Sequence, residues 1–231
     1  MAVIRPQWRT AANVHALSTT RLAGDMAASC AMPPGVPARP RWLRQVHGVA
    51  IADLDALPEE GPLPVADAAF TTRPGVVCVV RTADCLPVLL AARDGSVVAA
   101  AHAGWRGLAA GVIEATVAAM RARAGRDVLL QAWLGPAIGP GHFEVGEEVR
   151  AAFLAADSGA HAAFVPAEEG RWMCDLAALA RRRLAALGIG EVSACGHCTY
   201  AEEQRFFSHR RDVQHRGLDA TGRMASCIWR T

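Results

Sequence analysis

Lysine is absent from this chain, and all 24 of its basic residues are arginine. A protein without lysine cannot form a Schiff base through a lysine amine, attach pyridoxal phosphate, or supply the lysine of a P-loop. Those enzyme classes are therefore excluded. Arginine leaves anion chemistry open, because its planar guanidinium binds phosphate and carboxylate groups through paired hydrogen bonds.

The chain also lacks long apolar runs and long runs of one charge. None of its apolar stretches is long enough to cross a bilayer, and the net charge is only +2. The first residues show neither the basic start and long apolar stretch of a signal peptide nor its cleavage site. We therefore expect a cytoplasmic protein with no general affinity for nucleic acid or membranes.

Disulfide bonds are not expected either. The seven cysteines are an odd number and lie in apolar segments, which is typical of reduced thiols in a cytoplasmic protein.

A hydrophobic fraction of 52% over 231 residues is enough for one large core. We therefore predict one domain, residues 1–231.

The order of the predicted elements favours an α+β fold. Short apolar or β-branched runs predict strands, and a 3.6-residue apolar period or helix end signals predict helices. The strands occur both in hairpin-like pairs and around helices, which favours mixed sheets over a simple parallel α/β fold. The predicted strands are residues 76–80, 88–92, 97–101, 128–134, 189–194 and 224–229, the predicted helices are 107–124, 147–156 and 175–187, and 22–41 is a predicted loop.

Three side chains are candidate metal ligands: His47, Cys85 and His102. They lie 38 and 17 residues apart, which matches no compact zinc finger, so the fold would have to assemble the site. Two imidazoles and one thiol can hold zinc and leave its fourth position open, as catalytic zinc sites do. Taken alone, Cys85 remains either a metal ligand or a nucleophile.

A series of motifs around these residues resembles the laccase-domain family, and the match runs in order from about residue 40 to the C-terminus. The motifs are Gln45-Val46-His47-Gly48, Thr82-Ala83-Asp84-Cys85-Leu86-Pro87-Val88, His102-Ala103-Gly104-Trp105-Arg106-Gly107, Leu134-Gly135-Pro136-Ala137-Ile138-Gly139-Pro140, Phe143-Glu144-Val145-Gly146, Cys198-Thr199-Tyr200, Phe206-Phe207-Ser208 and Thr221-Gly222-Arg223-Met224-Ala225.

The resemblance implies a fold, a cofactor and an activity. Members of this family were named multicopper polyphenol oxidases and are now described as zinc-dependent purine nucleoside phosphorylases. The implied fold is a single-domain α/β/β/α sandwich, with zinc at His47, Cys85 and His102. The implied reactions are phosphorolysis of adenosine, inosine and methylthioadenosine and deamination of adenosine, so the expected partners are a purine nucleoside and phosphate.

The remaining site residues follow from what this chemistry needs. Arginines are the strong cations available to hold phosphate. Arg106, at a predicted helix N-terminus, is the first candidate, Arg21 matches a Ser/Thr-Arg position of the family, and Arg211 and Arg223 come next, together with Arg210. Deamination needs an acid that carries a proton, and we expect Asp84 in that role rather than Glu144, beside Cys85 and His102.

The sequence departs from the family pattern in two segments. Most of the usual segment between Arg21 and Trp42 is missing, including a Ser-x-Asn-Leu stretch, so part of the substrate pocket is expected to be lost or rebuilt. Residues 213–220 form an insertion before Thr221.

Three other functions compete with the phosphorylase. A cysteine hydrolase or amidase would use Cys85 as nucleophile and His102 as base. A copper-dependent polyphenol oxidase is less expected, since the eight histidines include no His-x-His pair. The third alternative is a zinc-stabilised domain without catalytic activity.

The Cys195-Gly196-His197-Cys198 motif fits a dithiol redox site or half a zinc knuckle, but chance is the better explanation.

Overall fold

The computed structural model describes residues 1–29, 31–37 and 40–231, and within them the chain forms two large mixed sheets and one small antiparallel sheet. The strands are β1 (Val3–Ile4), β2 (Val14–Thr19), β3 (Pro40–Arg41), β4 (Ile51–Asp53), β5 (Ala68–Thr71), β6 (Val77–Thr82), β7 (Leu86–Ala92), β8 (Val98–Ala103), β9 (Leu130–Leu134), β10 (Glu144–Gly146), β11 (Phe164–Pro166), β12 (Arg171–Cys174), β13 (Val192–Ala194) and β14 (Met224–Arg230). The helices are α1 (Trp105–Ala110), α2 (Val112–Ala124), α3 (Glu147–Leu154) and α4 (Leu176–Ala186).

The two large sheets face each other. The first has the order β1-β2-β14-β6-β3, and the second has the order β13-β9-β7-β8-β5-β4. Between them lie fully buried side chains from both sheets, such as Val80 and Ile228 from the first and Leu89, Val98 and Trp133 from the second. This shared core makes the pair a β-sandwich.

Each sheet also packs on its outer face. The four α-helices cover the second sheet through residues such as Leu108, Ile113 and Leu184. The outer face of the first sheet is covered by Met26, Trp42 and neighbouring loop residues. The α+β architecture with mixed sheets is therefore confirmed. In the described part of the predicted loop 22–41, a 3₁₀ turn (Arg21–Ala23) and loop residues are followed by the short strand β3, so the prediction is wrong for Pro40 and Arg41. The predicted loop also includes Cys30, Ala38 and Arg39, which lie outside the described residues.

The predicted helix 107–124 is wrong in one respect, since it is two helices. Gly111 has φ +99° and ends α1 before α2 begins. A left-handed residue breaks the α-helical hydrogen bonding, and glycine adopts it without strain. The predicted strand 189–194 is also shorter in the structure. Ile189 donates its N–H to Leu184 O at the end of α4, and strand pairing begins only at Val192.

Candidate metal centre and cavity

Cys85 lies where the chain crosses from one large sheet to the other. β6 of the first sheet ends at Thr82, and β7 of the second begins at Leu86. The crossing requires a sharp turn, and Asp84 adopts φ +89° to make it. The thiol is therefore held at one end of the sandwich, partly exposed.

His102 is brought to Cys85 by strand pairing. It lies on β8, opposite Pro87 of β7, and only 3% of it is exposed. Its Nδ1 is 2.8 Å from Asp67 Oδ1. A carboxylate at Nδ1 favours the tautomer with the proton on that atom, which leaves Nε2 free to bind a metal.

The same carboxylate holds the loop of His47. Asp67 is fully buried, and its two oxygens accept hydrogen bonds from the backbone N–H groups of Val46, His47 and Gly48 at 3.1, 2.9 and 2.7 Å. These bonds stabilise His47 in a left-handed conformation with φ +60°, which is uncommon for a residue with a side chain. Asp67 therefore orients two of the three predicted ligands at once.

The three ligand atoms converge. One nitrogen from each of His47 and His102 and the sulfur of Cys85 lie within 4.8 Å of one another, and the Cys85 Sγ to His47 Nε2 distance is 3.8 Å. Two imidazoles and a thiolate are a donor set that zinc prefers, and three protein ligands leave one position open. The structure therefore brings together the metal-binding group that the sequence predicts, and the residues present fit a zinc ion.

Gly104 allows this close approach. A Cβ atom at this position would lie 2.8 Å from His47 Cδ2 and 2.9 Å from Cys85 Sγ. Both distances are shorter than a van der Waals contact, so a side chain here would displace two ligands. The glycine that follows β8 is thus a spatial requirement of the site.

Cys85 and His102 also shift each other's pKa. Burial would raise the pKa of Cys85, but the neighbouring imidazoles of His102 and His47 outweigh it and lower the pKa to about 6. Burial would lower the pKa of His102, but the Cys85 thiolate and Asp67 raise it to about 9. Cys85 is therefore thiolate at neutral pH, which is the form that binds metals and attacks electrophiles.

A cavity of about 640 Å³ is lined by the ligand cluster. This volume lies within the range of small-molecule sites, about 300–1,000 Å³. One part of the wall is apolar and could accept a purine base, and the other part is cationic. The apolar side chains include Leu43, Leu63, Trp105, Ile138 and Phe143, and the cationic ones are Arg44, Arg81, Arg106, Arg210 and Arg223.

Three of the five arginines predicted to bind phosphate line this cavity. Arg106 is exposed, and its guanidinium lies 4.4 Å from the centroid of the Trp105 ring system. Arg210 and Arg223 also line the wall. All three are therefore placed where an anion could reach them.

The other two lie elsewhere. Arg211 is 4% exposed and forms an ion pair with Asp212, while its remaining donors bond to the carbonyl groups of Thr199, Tyr200 and Phe206. Arg21 donates to Glu203 O at 2.7 Å and does not line the cavity. These guanidinium groups serve the protein's own interior, so the geometry does not support them as phosphate ligands.

Asp84 is likewise occupied. Its carboxylate accepts hydrogen bonds from Thr199 Oγ1 at 2.6 Å, Ser208 Oγ at 3.0 Å and Arg210 N at 2.6 Å. Its backbone oxygen accepts a fourth from Ile138 N. The Asp84 carboxylate lies in the cavity wall and ties the turn at Cys85 to the C-terminal segment.

Sequence reasoning missed Asp67, Arg44 and Arg81. Asp67 lies between an alanine and two further alanines before Phe70, and a charged residue in so apolar a run was the available signal. Arg81 is the penultimate residue of β6, the strand that precedes the Asp84-Cys85 pair. Sequence spacing did not distinguish this position from that of a surface arginine.

The shortened segment after Arg21 still reaches the cavity. Asp25 Oδ1 accepts hydrogen bonds from the N–H groups of Ala27 and Arg223 at 2.8 Å each, and Met26 is 1% exposed. Ala27 lines the cavity wall. The part of the segment that remains is therefore built into the pocket.

In the dithiol motif, the second cysteine has a structural role. Cys198 Sγ accepts hydrogen bonds from Gly139 N at 3.2 Å and Ala201 N at 3.4 Å, and lies 3.7 Å from His142 Nδ1. Cys195 and Cys198 are both free thiols. Cys198 therefore anchors the loop that contains Gly139 to the segment that follows β13.

Among the described residues, no helix is both long and apolar enough to cross a membrane. The described residues contain one group of at least three side chains that could bind a metal ion, the cluster of His47, Cys85 and His102.

Comparisons with known proteins identify relatives of this chain. The family model described as multi-copper polyphenol oxidoreductase laccase matches residues 24–231. The Escherichia coli K12 protein named purine nucleoside phosphorylase YfiH is 44% identical over 250 aligned residues, which cover 98% of both chains. A Xylella fastidiosa (strain Temecula1) protein named purine nucleoside phosphorylase is 52% identical over 200 residues, covering 84% of this chain and 74% of the relative.

Solved structures with the same fold include two crystal structures. A crystal structure of a Neisseria meningitidis protein superposes with a TM-score of 0.87 at 38% identity and covers 100% of this chain and 99% of that one. The crystal structure of YlmD from Geobacillus stearothermophilus superposes with a TM-score of 0.77 at 27% identity, covering 95% and 92%. The family model spans most of the sequence and the identities extend over nearly all of it, so this chain belongs to the multi-copper polyphenol oxidoreductase laccase family.

Proposed function

We propose that this chain is a cytoplasmic, single-domain purine nucleoside phosphorylase that uses zinc, acts on adenosine, inosine and methylthioadenosine, and also deaminates adenosine. The observation that carries the proposal is the convergence of His47, Cys85 and His102 at a cavity whose wall is partly apolar and partly lined by arginines. Relatives named purine nucleoside phosphorylase support it.

The metal and the nucleoside have separate places in this proposal. His47, Cys85 and His102 hold zinc, which when bound supplies a Lewis acid with an open position for water or a substrate oxygen. Trp105 and Phe143 offer aromatic surface to the purine. Arg106 orients the phosphate nucleophile below the ribose, since a guanidinium binds two phosphate oxygens in a fixed geometry.

Other residues are given roles that follow from their contacts. Asp84 is proposed to position Cys85 and Arg210, because both of its oxygens are bonded to protein donors. His209 is exposed in the cavity wall, and we propose its imidazole as the group that passes a proton to the departing purine. Arg21 and Arg211 are proposed to stabilise the fold, and Arg223 to bind substrate.

The test is incubation of zinc-loaded protein with adenosine, with and without phosphate, followed by chromatography. Adenine and ribose 1-phosphate that form only with phosphate indicate phosphorolysis, and inosine indicates deamination. Neither product from folded, metal-loaded protein would refute the proposal. His102→Ala should lose metal and both reactions, whereas His161→Ala, an exposed histidine that contacts Ser158 O, should keep them.

A cysteine hydrolase or amidase remains the second candidate, because one arrangement favours it. Cys85, with a pKa of about 6, adjoins His102, whose other ring nitrogen contacts Asp67, as in a nucleophile, base and acid series. Metal content separates the two functions. Protein that purifies without zinc, is alkylated at Cys85 and loses an amide-hydrolysing activity as a result would favour the hydrolase.

The remaining two alternatives have weaker support. A trinuclear copper cluster needs many histidines, and the described residues provide one three-ligand group, so we propose zinc rather than copper. A non-catalytic zinc-stabilised domain would be excluded by phosphate-dependent release of a free base.

A further inference from the structure

The cavity wall contains more positive charge than one phosphate ion balances. Within the described part of the chain, none of its five arginines forms an ion pair, whereas arginines elsewhere do, as Arg93 does with Glu191 at 3.0 Å. The carboxylate in the wall, Asp84, is already bonded to three donors. A phosphate group carries about 1.5 to 2 negative charges near pH 7 and the Asp84 carboxylate carries one more, so roughly two of the five arginines remain without a counter-charge.

Three of the five arginines are gathered on one side by the fold. Arg44, Arg81 and Arg223 form what we call the outer arginine cluster. Gln45, next to Arg44, accepts from the Arg81 N–H at 2.8 Å and donates to the Arg81 carbonyl at 2.9 Å. In the β6–β14 ladder Arg81 is opposite Ala225, and Arg223 lies just before β14, so the chain brings Arg223 close to Arg81 at the wall of the same cavity.

The cluster is held in place and retains free donors. The Arg81 guanidinium lies 5.1 Å from the centroid of the Trp42 ring system and donates through one nitrogen to Leu43 O at 3.4 Å. Arg223 donates through one nitrogen to Thr221 O at 2.9 Å and Gly222 O at 3.2 Å. Each guanidinium has five N–H groups, so most remain available for a ligand. A held arginine loses less freedom when it binds an anion.

We propose that the outer arginine cluster binds a phosphate group carried by the nucleoside itself, so that the cavity accepts nucleoside 5′-phosphates as substrates. This inference rests on the proposed phosphorylase function. In the reaction, an oxygen of inorganic phosphate forms a bond to C1′ while the bond from C1′ to the purine nitrogen breaks, and the purine gains a proton. The products are a free base and ribose 1,5-bisphosphate.

The experiment compares adenosine with adenosine 5′-phosphate on zinc-loaded protein. Dissociation constants are measured by calorimetry at low salt without inorganic phosphate. We expect the nucleotide to bind about tenfold or more tightly than adenosine, because a charge-assisted guanidinium–phosphate contact is stronger than a neutral one. Arg81→Gln and Arg44→Gln should each reduce nucleotide binding several-fold and leave adenosine binding within about twofold. Arg93→Gln, which removes an arginine in the turn that follows β7, is the matched control and should change neither.

Equal affinity for the two ligands would overturn the inference, as would a nucleotide preference that survives both cluster substitutions or falls equally in the Arg93 variant. Thermal melting checks that each variant is folded. The two proposals also fail separately. Phosphorolysis of adenosine without nucleotide preference would remove the inference and leave the function, whereas cluster-dependent nucleotide binding without any base release would remove the phosphorylase.

Discussion

Replacing Asp67 by Asn exchanges one carboxylate oxygen for an NH₂ group and so perturbs both histidines of the ligand cluster. The carboxylate accepts four hydrogen bonds, from Val46 N, His47 N, Gly48 N and His102 Nδ1. Asn has almost the same shape but one acceptor oxygen, so its NH₂ group must face two N–H donors. The substitution therefore removes bonds without creating a cavity.

The magnitude follows from those bonds. A hydrogen bond to a charged group contributes about 1.5–3 kcal/mol, and two such bonds are lost on each orientation of the amide. We expect Asp67→Asn to lower the free energy of unfolding of the metal-free protein by about 3–6 kcal/mol. Metal affinity should fall by about 10–100-fold, as is usual when a carboxylate behind a histidine ligand is removed.

Two measurements test this. Urea denaturation of chelator-treated protein gives the change in stability, and competition with a chromogenic chelator gives the metal affinity. Asp94→Asn is the matched control, because Asp94 accepts one backbone bond from Ser96 in an exposed turn and should cost below about 1 kcal/mol. If Asp67→Asn matched the control in stability and metal affinity, the role of Asp67 as a joint support of both histidines would be refuted.

Three further predictions concern separate parts of the molecule. Gly104→Ala should weaken metal binding by tenfold or more, roughly the effect of a displaced ligand, whereas Gly141→Ala, with nothing within 4 Å of its added Cβ, should not, and chelator competition measures both. Burial raises the pKa of Asp55, but hydrogen bonds from Thr71 and Thr72 outweigh it and lower the pKa below 3.8. The stabilisation that ionised Asp55 gives the fold is therefore present above pH 3.8 and is lost as the pH falls through the folded pKa. In Asp55→Asn the free energy of unfolding should therefore depend less on pH in the acid range. Removing the metal with a chelator should lower the free energy of unfolding by about 4 kcal/mol if the free metal stood at 1,000 times its dissociation constant; Cys85→Ser should show a much smaller difference, and an unchanged difference would argue against Cys85 as a ligand.

The sequence predicts the ligand cluster because each ligand lies in a local motif. His47, Cys85 and His102 each adjoin a turn or a strand end, and local chain signals report such places. What supports them is not local. Asp67 contacts His102 across 35 residues and His47 across 20, and the pairing of β5 with β8 on one side and β4 on the other brings these together. No spacing rule foretells that contact.

Neighbouring arginines show a second limit. Arg210 and Arg211 are adjacent and alike in the sequence, yet Arg210 lines the cavity and Arg211 is buried against Asp212. They begin a single π-helix, Arg210–His215, in which the direction of a side chain depends on the local hydrogen bonding. Residue type alone therefore identifies an anion-binding chemistry without telling which of two arginines provides it.

The crossing of the chain at Cys85 has a consequence for how the site comes into being. Its thiol belongs to the link between the two sheets, His102 to the second sheet, and His47 to the loop after β3 of the first. These ligands meet only when β8 has paired with both β7 and β5, because the first pairing sets His102 opposite Pro87 and the second brings Asp67, which holds the His47 loop, to His102. Without this pairing the chain presents three separate donors instead of one metal site, so metal affinity reports whether this part of the second sheet has formed.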